Sequence, residues 1–189
     1  MSGGDAFGLA ISGTNNQVDT SLVTLSGIDG IGIGAGTGIR IISNDISDNN
    51  RLGVDISNNS NNNLIQSNVI NRNGIVDGEQ GGVAIFFGTG NTVSNNAINN
   101  NLNGIEIESG GNTFTGNRVA GSVSNGIFVT ASGVPSTIAL NTVLGSLVVD
   151  MSDASTTCAS GADVWKGNTF QSDLAGGIPD GGPGKGCIR

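Results

Sequence analysis

The 189-residue chain has no histidine and no tyrosine, one tryptophan, three prolines, two cysteines and only seven lysines and arginines. Without histidine it has no side chain that ordinarily titrates near neutrality, and copper and zinc lose their commonest ligand. The few cations stand against 15 Asp and Glu, for a formal charge of −8 and a pI of about 4.1. Phosphates cannot be neutralised at that ratio, so nucleic acid is not expected as a partner. No apolar run approaches the roughly 18 residues of a membrane span, so no membrane insertion is expected. The start, Met1 to Asp5, has no basic and then apolar leader pattern, so an export signal would have to lie upstream. Aromatics at 4 % rule out a core of large rings.

What the chain does contain is 33 Gly, 25 Asn and 20 Ser, with Ile and Val abundant throughout. Gly and Asn disfavour helix interiors, and no long stretch is dominated by helix formers. Gly and Pro together make 36 of 189 residues, below the roughly 25–30 % typical of low-complexity disorder. The chain is therefore expected to fold, as strands and turns.

A pattern of apolar-x-x-Asn-x-apolar recurs at Asn16, Asn44, Asn68, Asn96, Asn117, Asn141 and Asn168. Two residues later stand Val18, Ile46, Ile70, Ile98, Val119, Val143 and Phe170; three residues earlier, from the second unit on, stand Ile41, Ile65, Val93, Phe114, Ile138 and Trp165. The first unit departs, with Gly13 in that place. A Gly-apolar-x-apolar element follows at Gly53, Gly82, Gly104 and Gly126, and Gly30 opens the same form. The Asn intervals of 28, 24, 28, 21, 24 and 27 indicate a solenoid. Runs of three to five residues alternate with period 2 and are bounded by Gly and Asn, which reads as short strands joined by sharp corners. At such corners Asn tolerates left-handed backbone, and stacked Asn amides can bond from coil to coil at about 4.8 Å.

The repeat, as in Asn91-Thr-Val93-Ser-Asn-Asn96-Ala-Ile98 followed by Asn103-Gly104-Ile105-Glu-Ile107, resembles the parallel β-helix repeat of the pectate-lyase-like superfamily. The resemblance implies an all-β, single-stranded right-handed parallel β-helix of about seven coils, with residues 1–150 forming coils and 151–189 the last coil and a cap. The closing stretch, Asp163 to Phe170 and Gly184 to Arg189, is similar to the end of many bacterial repeat proteins of this kind. It suggests the C-terminal part of such a protein, secreted or on the cell surface. Cys158 and Cys187 bracket the final unit, and a disulfide between them is expected to contribute roughly 3–4 kcal/mol. Two free thiols in the unreduced, denatured protein would exclude it.

That superfamily includes lyases, hydrolases, epimerases and scaffolds, so activity must come from particular residues. Epimerases and polygalacturonases of this fold use a histidine, and the epimerases also a tyrosine; both are missing here. Arg40, Arg51, Arg72 and Arg118 are candidates for a lyase base, but none lies in a lyase-like run, so no catalytic residue carries over.

The candidate binding residues are acidic. Asp55 and Glu106 occupy the outward position of the Gly-apolar-x-apolar strand, Glu108 projects from the same face, and Asp77 and Glu79 sit in the expanded turn 73–82. Carboxylates at such spacing suit sugar hydroxyls, glycoside hydrolysis, or Ca2+ as a candidate ion with no other cofactor expected. They also serve simply to solvate a rod. Outward Thr92, Thr113 and Thr137 could order water, but Arg40, Leu64 and Val164 interrupt the column. The favoured expectation is a scaffold or carbohydrate-binding module for a polysaccharide or cell-surface glycan. The alternative is a polysaccharide lyase or glycoside hydrolase.

Overall fold

The computed structural model describes residues 6–75, 80–130, 134–154, 162–183 and 185–189. Among them no helix occurs. The first coil is β1 (Leu9–Thr14), β2 (Gln17–Asp19) and β3 (Leu22–Thr24), and the second is β4 (Ile31–Thr37), β5 (Arg40–Ile42) and β6 (Asp45–Ser47). The third is β7 (Val54–Ser57), β8 (Leu64–Gln66) and β9 (Val69–Asn71), and the fourth is β10 (Gly81–Ile85), β11 (Thr92–Ser94) and β12 (Ala97–Asn99). The fifth is β13 (Asn103–Ile107), β14 (Thr113–Thr115) and β15 (Arg118–Ala120), and the sixth is β16 (Asn125–Val129), β17 (Thr137–Ala139) and β18 (Thr142–Leu144). The seventh has β19 (Val149–Asp153), β20 (Val164–Lys166) and a lone bridge at Thr169.

Each strand pairs in parallel with its equivalents in the neighbouring coils, giving three stacked sheets. We call them A (β1, β4, β7, β10, β13, β16, β19), B (β2 through β20) and C (β3 through β18). The pairing is possible without crossover helices because the coil itself returns the chain to the next rung.

The inward residues form columns. Ile31, Val54, Val83, Ile105, Ile127 and Met151 line sheet A, and Ile41, Ile65, Val93, Phe114, Ile138 and Trp165 line sheet B. Ile46, Ile70, Ile98, Val119 and Val143 line sheet C, and nearly all of these are fully buried. Branched side chains repeating at strand spacing fill a narrow core without many rings. In the last coil the column of Ile33, Ile56, Ile85, Ile107 and Val129 ends in buried Asp153, which accepts the Trp165 indole N–H at 3.0 Å.

The end of the stack is closed by β21 (Asp173–Ala175), which adds to sheet A and turns back antiparallel into β22 (Ile178–Pro179). The Asp180 carboxylate accepts the backbone N–H groups of Cys187 and Ile188, holding Ile188 fully buried. Cys158 lies outside the described residues, as do Asp77 and Glu79.

Three asparagine columns, one per corner, tie the coils together. Between sheets B and C, Asn44, Asn68, Asn96, Asn117, Asn141 and Asn168 bond amide to amide at 3.0–3.1 Å. From Asn68 on, each Oδ1 accepts both the backbone N–H and the Nδ2 of the asparagine one coil earlier, as Asn96 does from Asn68. Asn63, Asn91 and Asn112 do the same between A and B, and Asn49, Asn73 and Asn101 between C and A.

Two sequence expectations are corrected here. Asn16 belongs to the A–B corner; its first-coil counterpart at the B–C corner is Ser21, whose N–H donates to Asn44 Oδ1. Accordingly Val18 lies in the column of Ile41, and Val23 heads the column of Ile46. The mismatch at Gly13 is a register slip, because the three corners within a coil lie five residues apart and the neighbouring one also carries Asn. Secondly, the left-handed residue at each corner precedes the column asparagine: Ser43, Ser67, Asn95, Gly116 and Leu140 all have φ of 55–65°. The asparagine itself points inward to satisfy backbone, and the residue before it makes the bend. The Gly-rich run 30–38 is mostly strand, with positive φ at Gly38 alone among its glycines.

Candidate functional site

Sheet A presents the outward row Ala10, Gly32, Asp55, Ala84, Glu106, Phe128 and Ser152. Two small residues followed by a carboxylate leave a hollow on the sheet face. That hollow is a groove of about 260 Å³ with Gly32 and Gly34 as floor, Asp55, Ser57 and Asn58 along one side, and Phe7 and Ser12 toward the first coil. The Cδ1–Cε1 edge of the Phe7 ring approaches Gly32, where an added Cβ would come within 2.9 Å of it.

Asp55 is only 7 % exposed. Its Oδ2 accepts the Ser57 hydroxyl at 3.2 Å, while Oδ1 is shielded from solvent and has no hydrogen-bond partner among the described residues. Burial, reinforced by the charge of Asp29, pushes the carboxyl up to about 6. Asp29 is itself held by Arg51 through two parallel bonds of 2.8 and 2.9 Å and by the Leu52 N–H at 3.0 Å.

A buried carboxyl raised in this way destabilises the fold once ionised. Its folded-state pKa lies above the unfolded reference of 3.8, so the folded chain holds the proton more tightly. Stability is therefore highest below about pH 4 for this group and falls as pH rises toward about 6, by on the order of 2–3 kcal/mol. Asp55→Asn is expected to raise the melting temperature clearly near neutral pH and much less near pH 4. An equal rise at both pH values would mean that ionisation is not the cost.

Glu106 lies two rungs from Asp55, across Ala84, and is half-buried. Burial, with the charge of Glu108, raises its carboxyl, and Oε2 has no partner among the described residues. Glu108 is exposed. The groove at Asp55 does not include Glu106 or Glu108. Of the five acidic candidates, then, one lines a groove, two sit beside each other further along the sheet, and Asp77 and Glu79 lie outside the described residues. No group of three or more metal-ligating side chains occurs among the described residues. Sequence reasoning missed Phe7, Ser57 and Asn58 as neighbours of Asp55. The signal was the run of Ala10 and Gly32 below the carboxylate in one outward row.

A family model described as the right handed beta helix region matches residues 7–174. No curated protein and no solved structure matches the chain significantly.

Proposed function

We propose a binding role for this chain, which belongs to the right-handed β-helix family: an extracellular or cell-surface module that holds a glycan on the outer face of sheet A, without catalysis of its own. One observation carries the reading. Asp55, whose Oδ2 accepts only the Ser57 hydroxyl among the described residues, lines a groove beside an aromatic ring and a glycine floor. A sugar ring offers what such a groove lacks, hydroxyl donors for the carboxylate and a C–H face for the ring. A residue that costs stability as Asp55 does is what a binding site retains. A Cys158 to Cys187 bridge would suit the oxidising compartment that this role implies.

The test is calorimetric titration with polyuronates and neutral glycans, with and without Ca2+. Binding is expected, and Phe7→Ala is expected to weaken it about fivefold, the value of one ring stack. No binding to any glycan would leave a purely structural rod.

The enzyme alternative rests on Glu106, a half-buried carboxyl that burial and the charge of Glu108 shift upward, the direction a general acid needs. Reducing-end and unsaturated-product assays on the same panel separate the two. Turnover that disappears in Glu106→Gln or Glu108→Gln would replace the binding reading with a catalytic one.

A further inference from the structure

Resting on the glycan-binding reading, we infer that the groove at Asp55 takes an amino sugar, a unit whose free amine is protonated and seats against the Asp55 carboxylate. The charges around the groove point this way. Arg51 is the cation that acts on Asp55, and its guanidinium is forked onto Asp29, whose side chain is completely buried. That pair is neutral as a unit, and its nearer effect on Asp55 is the repulsion from Asp29. The flanking outward positions are Gly32 and Ala84, which carry no charge, and the next ionisable group in the row is Glu106, another acid. Among the described residues no cationic side chain lines the groove.

The site therefore has one uncompensated buried carboxylate, with the Ser57 hydroxyl and the Asn58 side chain next to it. A uronic acid would place a second anion there, on a chain of net charge −8, and is disfavoured. A neutral sugar supplies hydroxyl donors but leaves the charge. An ammonium supplies both a counter-charge and three donors. Because burial pushes Asp55 up to about 6, the carboxylate that recognises the amine is formed as pH rises above about 5, and affinity rises with it until the sugar amine itself begins to lose its proton near neutrality.

The experiment titrates the full chain with three oligosaccharides of equal length: fully de-N-acetylated chito-oligomer, its N-acetylated twin, and oligogalacturonate. At about pH 7 the amine form is expected to bind about tenfold or more tightly than its twin, the value of one charge-assisted hydrogen bond, with the preference shrinking near pH 5. Asp55→Asn, of the same shape without the charge, is expected to abolish the preference, and Ser57→Ala to reduce it, in variants whose melting confirms folding. Equal or tighter binding of the acetylated or uronic oligomer would overturn the amine assignment while leaving glycan binding in place. A preference that survives in Asp55→Asn would overturn it too, assigning the effect to the general negative charge. Failure of all three oligomers together with the wider glycan panel would remove both readings.

Discussion

Asn96→Ala is expected to lower the unfolding free energy by about 3–6 kcal/mol, a large share of the roughly 5–15 kcal/mol that a domain has. The residue sits in the middle of the B–C column and is 1 % exposed. Its Nδ2 donates to Asn117 Oδ1 and to the Ile65 carbonyl, each at 3.0 Å. Its Oδ1 accepts the Asn68 backbone N–H at 2.9 Å and the Asn68 Nδ2 at 3.0 Å. Truncation would orphan a backbone N–H and an amide N–H in the interior, each costing about 1–3 kcal/mol, and would take a second donor from the Ile65 carbonyl. The neighbouring Asn95→Ala supplies the contrast. Asn95 is exposed and makes the bend at φ of 55°, so its replacement costs only the left-handed penalty of about 1–2 kcal/mol. Urea unfolding of both variants checks the pair, and similar small losses would show that the columns do not hold the coils together.

The second large effect is steric. Gly104→Ala is expected to destabilise by about 3 kcal/mol or more, at the upper end of overpacking costs. A Cβ there would stand 2.3 Å from Val119 Cγ1 and 2.4 Å from the Gly126 carbonyl oxygen. The oxygen belongs to the adjacent coil and Val119 is locked in the core, so neither can give way. The same approach recurs up the stack, with Gly53 facing the Gly82 carbonyl and Gly82 facing that of Gly104. Gly34→Ala on the outer face meets only Asn58 Nδ2 at 3.4 Å and should change stability by less than about 0.5 kcal/mol. Thermal melts of the two proteins decide it. A mild Gly104→Ala would mean that the coils can separate enough to admit a methyl group.

The candidate site was less legible than the fold. Asp55 and Glu106 were readable as outward residues of one row, because a strand alternates faces and the coil fixes the register. That Asp55 is buried, and Glu108 is not, depends on what stands beside each in space: Phe7 comes from a segment 48 residues away in sequence, and nothing in the repeat announces it. The Asp29–Arg51 pair was hidden for a related reason, since its members lie on successive coils and outside the apolar pattern.

By itself the sequence determined the solenoid, its coil length, the inward columns and one of the three asparagine columns. These follow from spacing, and spacing is a property of the chain alone. It also contained the other two columns, for Asn63, Asn91 and Asn112 stand five residues before, and Asn49, Asn73 and Asn101 five residues after, members of the first. Only the tertiary structure decided which corner Asn16 and Ser21 occupy, why the motif glycines cannot be enlarged, and which carboxylate is buried beside a groove. Those depend on distances between adjacent coils, where a shift of one corner or one ångström changes which atoms meet.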